Sequence, residues 1–205
     1  MKLFVLPRDT ASDSVRIALR LKGVHHTIHP WEELGREPDA ADHPLIEASH
    51  LGPMLLEEQR LHSQSLAIIE YLDESYAEPP LLPGTARDRA RVRAIAQVVM
   101  CEIDPFVRAS DISMRKSTGC EDLVERTQQW IQQGLVLLET MLADNPATGR
   151  FCLGDSVTLA DICLAPLIWN AEKLGLDLTG VPTVREIYEN CLRNPDIESV
   201  ALDLK

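Results

Sequence analysis

The sequence predicts an α/β domain followed by an all-helical one, on three observations. Over the first 77 residues, apolar runs of strand length alternate with amphipathic helical stretches. A proline-rich segment, "AEPPLLPGTA" from Ala77 to Ala86, then interrupts the pattern. Beyond it, apolar residues recur only at helical spacing. The expected division is a first domain at 1–77, a linker at 78–85 and a second domain at 86–205. A chain of 205 residues that is 45% hydrophobic is long enough to bury a core in each.

The elements follow in order. "KLFVL", Lys2 to Leu6, is a short apolar run ended by Pro7, and Val15, Ile17, Ala18, Leu19 and Leu21 then form the buried face of a helix that Gly23 stops. "HHTIHPW", His25 to Trp31, supplies a second strand through Thr27 and Ile28, so the unit fits a parallel pair joined by a crossover. "GPMLL" (Gly52 to Leu56) and "EEQRLH" (Glu57 to His62) read as an antiparallel hairpin around a polar turn. "SQSLAIIEYLDESY", Ser63 to Tyr76, carries Leu66, Ile68, Ile69 and Leu72 at helical spacing. This β-α-β-β-α order, with a mixed four-stranded sheet, is thioredoxin-like. After the linker, "RDRARVRAIAQVVMCEIDPFVRASDI", "DLVERTQQWIQQGLVLLETMLA", "LADICLAPLIWNAEKLG" and "VREIYENCLR" read as helices, with no strand after Pro83. In "DSVTLAD", Thr158 and Asp161 have the spacing of a capping box for the third of these.

Composition excludes several function classes. With 32 acidic against 20 basic side chains, a net charge of -12, the chain repels phosphate backbones and anionic membranes, so nucleic acid is not an expected partner. No run approaches the roughly 18 apolar residues of a membrane span, and "MKLFVL" has no signal-peptide core behind it, so a soluble cytoplasmic protein is expected. Five scattered cysteines without a C-x-x-C pair read as reduced thiols. His25, His26 and His29 divide between the two faces of a strand with no carboxylate or cysteine at ligand spacing, so no metal is expected. Arg87, Arg89, Arg91 and Arg93 read as a solvated or interface face of one helix.

Two dipeptides can bind a ligand. Proline at Gly52-Pro53 cannot donate to a sheet, so it either starts an edge strand in trans or follows a cis bond that leaves the preceding N–H and C=O for an extended ligand. At Gln64-Ser65 a helix N-terminus offers unpaired N–H groups to a carboxylate, unless Ser63 or Ser65 simply caps its own helix. The junction "RDTASDS", Arg8 to Ser14, adds hydroxyls and carboxylates at the start of the first helix.

"VRIALRLKGV", Gly52-Pro53, "SQSLAIIEYLDE", "LLPGTARDRARVRAI", "GDSVTLADICLAP" and "AEKLGLDLTGVPTV" together resemble the zeta class of glutathione transferases over nearly the whole chain. The resemblance implies a thioredoxin-like domain that binds glutathione and a helical domain that closes over a small, anionic electrophile. It further implies a homodimer and cis-trans isomerisation of the maleylacetoacetate or maleylpyruvate kind, or glutathione conjugation. A cis bond at Pro53 becomes the expectation.

By the same resemblance, Gly52 and Pro53 face the cysteinyl unit of glutathione, Gln64 and Ser65 hold its γ-glutamyl carboxylate, and His50 faces the glycyl carboxylate. Ala11 and Asp104 fall in the glutathione site, Asp104 where glutamine or histidine is usual. Arg8, Arg108 and Lys173 supply cations for substrate carboxylates. The family's hydroxyl-bearing triplet after the arginine, Ser-Ser-Cys or Ser-Gly-Thr-like, reads Asp9, Thr10, Ala11 here. A carboxylate beside the sulfur disfavours a thiolate. Thr10, Ser12 and Asp9 as a base remain the catalytic candidates, and a catalytically weak glutathione-binding module is the alternative reading.

Overall fold

Strand β1 (Lys2–Val5) is the centre of the first domain, with β2 (Thr27–Pro30) parallel to it on one side and β3 (Met54–Glu57) antiparallel on the other. Strand β4 (Arg60–Ser63) pairs with β3 at the far edge, completing a mixed sheet of order β2-β1-β3-β4. The computed structural model describes residues 1–7, 9–38, 52–107 and 121–203. Side chains alternate across the sheet as a period of two requires. Leu3 and Leu55 join the main core, while Phe4, Met54 and Leu56 form a second cluster with Leu34 on the opposite face. Leu34 sits there because Trp31–Arg36 forms a 3-10 turn, which the sequence pattern did not announce.

Helix α1 (Thr10–Leu21) connects β1 to β2, and α2 (Ser65–Ser75) follows β4; Val15, Ile17, Ile68, Ile69 and Leu72 carry both into the main core. The proline-rich stretch after α2 is a fixed seam. The Asp73 carboxylate accepts from the N–H groups of Leu81 (2.7 Å) and Leu82 (3.1 Å), and the covered Lys22 ammonium donates to Asp73 and to the carbonyls of Tyr76 and Pro79. Proline content marks where periodicity stops, and these bonds decide that the segment is held.

The helical domain contains α3 (Ala86–Gln97), α4 (Glu121–Leu142), α5 (Leu159–Lys173), α6 (Pro182–Leu192) and α7 (Pro195–Leu202). Where periodicity suggests one unbroken helix from Arg87 to Ile112, α3 instead opens into a π-helical turn over Val98–Ile103, and residues 108–120 lie outside the described set. Helix α7 was not expected, because eight residues carry little periodic signal; Asn194 caps it and Pro195 opens it. The four arginines of α3 do not share a face, since positions two apart on a helix point about 200° apart. Arg93 forks onto Glu70 of α2 (2.9 Å twice), Arg91 reaches Thr148 (2.8 Å) and Arg89 bonds the Gly84 carbonyl (2.6 Å).

Helix α5 is the axis of the molecule, buried from Leu159 to Ala171. Its start matches the capping box read from sequence: Asp161 accepts from the Thr158 N–H (2.8 Å) and hydroxyl (2.6 Å), and additionally from the Cys152 N–H (2.8 Å). Among the described residues, no helix is long and apolar enough to cross a membrane.

Candidate active site

The junction at the start of α1 separates into two kinds of hydroxyl. Asp9 takes the N-cap position in extended backbone, and its Oδ2 accepts from the Ser12 N–H (2.8 Å) and the Ser12 hydroxyl (2.5 Å). Ser12 Oγ in turn accepts from the Leu6 N–H at 3.2 Å, so this hydroxyl is committed to closing the strand onto the helix. Thr10 opens the helix, fully buried, and its Oγ1 accepts from Nδ2 of Asn170 on α5 at 3.0 Å. Ala11, also buried, brings no polar group.

The second helix start is built differently. Gln64 lies between β4 and α2 at φ 69, ψ 114, a left-handed conformation that a non-glycine residue adopts only when its surroundings impose it. Its side chain is exposed, and no side chain caps the helix from that position. Ser65, the first helical residue, is buried, and its hydroxyl donates to Sδ of Met100 (3.9 Å) on the π-helical turn. The leading N–H groups of such a helix have no intrahelical partner and carry the positive end of its dipole. Gly52 sits at φ 102 just before β3.

The bond that follows Gly52 corrects one expectation. Among the described residues the cis peptide is Glu78–Pro79, and Gly52–Pro53 is not cis. Gly52 takes a positive φ that glycine adopts without steric cost, and Pro53 leads into β3 from a trans bond.

Charge is concentrated around α1 and the end of α5. Burial pushes the Asp13 carboxyl up to about 6, opposed by the charge and hydrogen bond of Arg16 (3.0 Å); the Asp9 charge adds to the rise and the Lys173 charge opposes it. Lys173, one turn beyond Asn170, is exposed and borders a cleft of about 790 Å³ with Trp169, Arg185 and Tyr188. Asp104 is buried, and its charge is one of the influences that raise the thiol of Cys163, after burial as the main cause. Arg8, His50 and Arg108 lie outside the described residues.

Two residues of this constellation were not singled out from the sequence: Met100 and Asn170. Only Asn170 had a local signal, as the amide within the otherwise apolar run "LAPLIWNA".

Asp13 carries a pH dependence whose sign is set. Its folded pKa lies above the ordinary carboxylate value, so its contribution to stability is complete below about pH 4 and is lost as pH rises through about 6. Asp13→Asn removes that loss. Relative to wild type, urea unfolding of the variant should gain roughly 2 kcal/mol between about pH 4 and pH 7.

A sheet domain of this order, joined through a fixed seam to a bundle whose axial helix touches the first helix start, has the architecture of a glutathione-using transferase. Residues 11–75 match the glutathione S-transferase N-terminal domain and residues 121–193 its C-terminal domain, and the chain belongs to the glutathione S-transferase family. A maleylacetoacetate isomerase of Rhizobium meliloti (strain 1021) is 39% identical over 189 residues, covering 90% of this chain and 87% of its own. A holo structure of a maleylpyruvate isomerase, a bacterial transferase of the zeta class, superimposes with TM-score 0.86 at 35% identity, over 100% of this chain and 98% of the other. The maleylacetoacetate isomerase of Anaeromyxobacter dehalogenans 2CP-1, with dicarboxyethyl glutathione and citrate bound in its active site, superimposes with TM-score 0.81 at 34% identity over 100% and 95% of the two chains.

Proposed function

We propose that this chain is a zeta-type, glutathione-dependent isomerase of a small unsaturated diacid related to maleylacetoacetate or maleylpyruvate. The observation that carries the reading is the Thr10 hydroxyl, placed at the start of α1 with its oxygen accepting from Asn170 and its own proton uncommitted among the described residues. The named activities of the relatives support the substrate class, and the dicarboxyethyl glutathione bound by one of them supports thiol addition to a diacid. Glutathione, when bound, supplies the thiolate nucleophile and is recovered when the double bond re-forms.

The residues present fit such a group. The N-terminus of α2, with the Ser65 N–H and hydroxyl and the exposed Gln64 amide, is suited to the γ-glutamyl carboxylate, and the Gly52 backbone with Pro53 to the cysteinyl unit. Thr10 donates to the developing thiolate, while Ser12 and Asp9 hold the helix start that aims it. With two donors from Ser12, Asp9 Oδ2 is a cap rather than a base. Ala11 leaves room beside the sulfur, and the family resemblance assigns the glycyl end to His50. Asp104, which is buried, is assigned to the glutathione site by the family resemblance alone. Lys173, Arg8 and Arg108 hold the substrate carboxylates while the bond turns. A second copy of the chain, forming a homodimer, would cover the groove between α2 and α3 lined by Leu66, Ala67, Tyr71 and Gln97.

Retention on immobilised glutathione tests the binding half of this proposal. Wild type should be retained and eluted by free glutathione, whereas the Gln64→Ala, Ser65→Ala double variant should pass through. Equal retention of both would remove the assigned site. Retention of wild type without turnover of maleylpyruvate or of a generic electrophile would make the chain a binding module.

A further inference from the structure

We infer that Asn170 is a positioning residue for this reaction: its side-chain amide, by donating to Thr10 Oγ1, turns the Thr10 hydroxyl proton toward the sulfur of bound glutathione. The inference rests on Thr10 being the donor to that sulfur. A hydroxyl has one proton to give and two lone pairs to offer. Ser14 Oγ bonds the Thr10 carbonyl, not its hydroxyl, so the only described partner of Thr10 Oγ1 is the Asn170 amide at 3.0 Å. With a lone pair so engaged, the proton has no acceptor among the described residues and points elsewhere. A hydroxyl that accepts from an amide is also a stronger donor, because hydrogen bonds in a chain polarise one another.

The position of Asn170 makes the arrangement specific. It lies 8% exposed in α5, in a stretch otherwise lined by apolar side chains, where an amide is costly unless bonded. Its partner is 160 residues away, on the other domain. One turn further along α5 stands Lys173. Were the amide carbonyl to face Thr10, the hydroxyl would donate to it and the sulfur would lose its donor.

The thiol pKa of bound glutathione, read by thiolate absorbance in the ultraviolet, separates the possibilities. Thr10→Ala should raise it by about one to two pH units, and Asn170→Ala by about half a unit with kcat down roughly threefold and the KM for glutathione unchanged. In the Thr10→Ala background, Asn170→Ala should move it no further. If Asn170→Ala does not fold, Asn170→Ser replaces it in both backgrounds. An unchanged thiol pKa in the Asn170 variant, with only a lower unfolding midpoint, overturns the inference and leaves Thr10 in place. A rise that persists without the Thr10 hydroxyl also overturns it, since Asn170 would then act by another route. If Thr10→Ala itself leaves the thiol pKa at the wild-type value, the reading of Thr10 fails and the inference falls with it.

Discussion

Thr10→Ala is expected to leave the fold intact while shifting the pH-rate profile to higher pH and lowering turnover near pH 7 roughly ten- to a hundredfold. A hydrogen bond to a charged group contributes about 1.5–3 kcal/mol, and one pKa unit corresponds to about 1.4 kcal/mol. Losing the donor therefore raises the thiol pKa by about one to two units and lowers the thiolate fraction at neutral pH in proportion. Thr10→Ser keeps the hydroxyl and should retain most of the activity. Ser12→Ala provides the contrast: its hydroxyl is bonded to Asp9 and Leu6, so the loss should register as lower stability with little change in the thiol pKa. The opposite pattern, with Ser12→Ala moving the thiol and Thr10→Ala silent, would exchange the two roles. Steady-state rates across pH and absorbance titration of bound glutathione read both.

The second large effect is on folding. Asp161→Ala should destabilise the protein by about 3–5 kcal/mol, because it strands three donors together in the core. Thr158 loses the acceptor for its N–H and hydroxyl, and Cys152 loses the acceptor for its N–H, at a site with no exposed surface at Thr158, Cys152 or Asp161. Burial raises the Asp161 carboxyl and the hydrogen bonds from Thr158 and Cys152 oppose the rise, so the group is costly to bury and more costly to remove. Asp161→Asn retains one acceptor oxygen and relieves the buried charge, and its loss should fall between wild type and the alanine variant. Urea unfolding measures the series. The consequence reaches the site, because α5 carries Asn170 to Thr10.

These two residues show how legibility differed within one chain. Asp161 could be read directly, since a cap and its partner lie three residues apart and the geometry of a helix start brings them together. The role of Ser12 against Thr10 could not. All the polar residues of "RDTASDS" suit a helix start equally as a string, and what divides them is which already have partners. Ser12 finds both of its partners within six residues, whereas Thr10 finds Asn170 across the domain seam. The alternating arginines of α3 misled for a related reason: their density suggested a charged face, yet helical geometry turns neighbours two apart to opposite sides.

The sequence by itself determined the element order of the first domain, the place where periodicity changes, the capping box of α5 and the likeness of the whole chain to one enzyme class. Each of these depends on side chains close along the chain, through strand alternation, helical spacing or a local hydrogen bond. Only the tertiary structure decided that the proline-rich stretch is pinned by Lys22 and Asp73, that α3 widens into a π-helical turn where Met100 meets Ser65, that Gly52 takes a positive φ ahead of a Pro53 that is not cis, and that Asn170 donates to Thr10. Most of those outcomes turn on which distant group packing brings within about 3 Å of a polar atom. Local spacing carries no record of that distance.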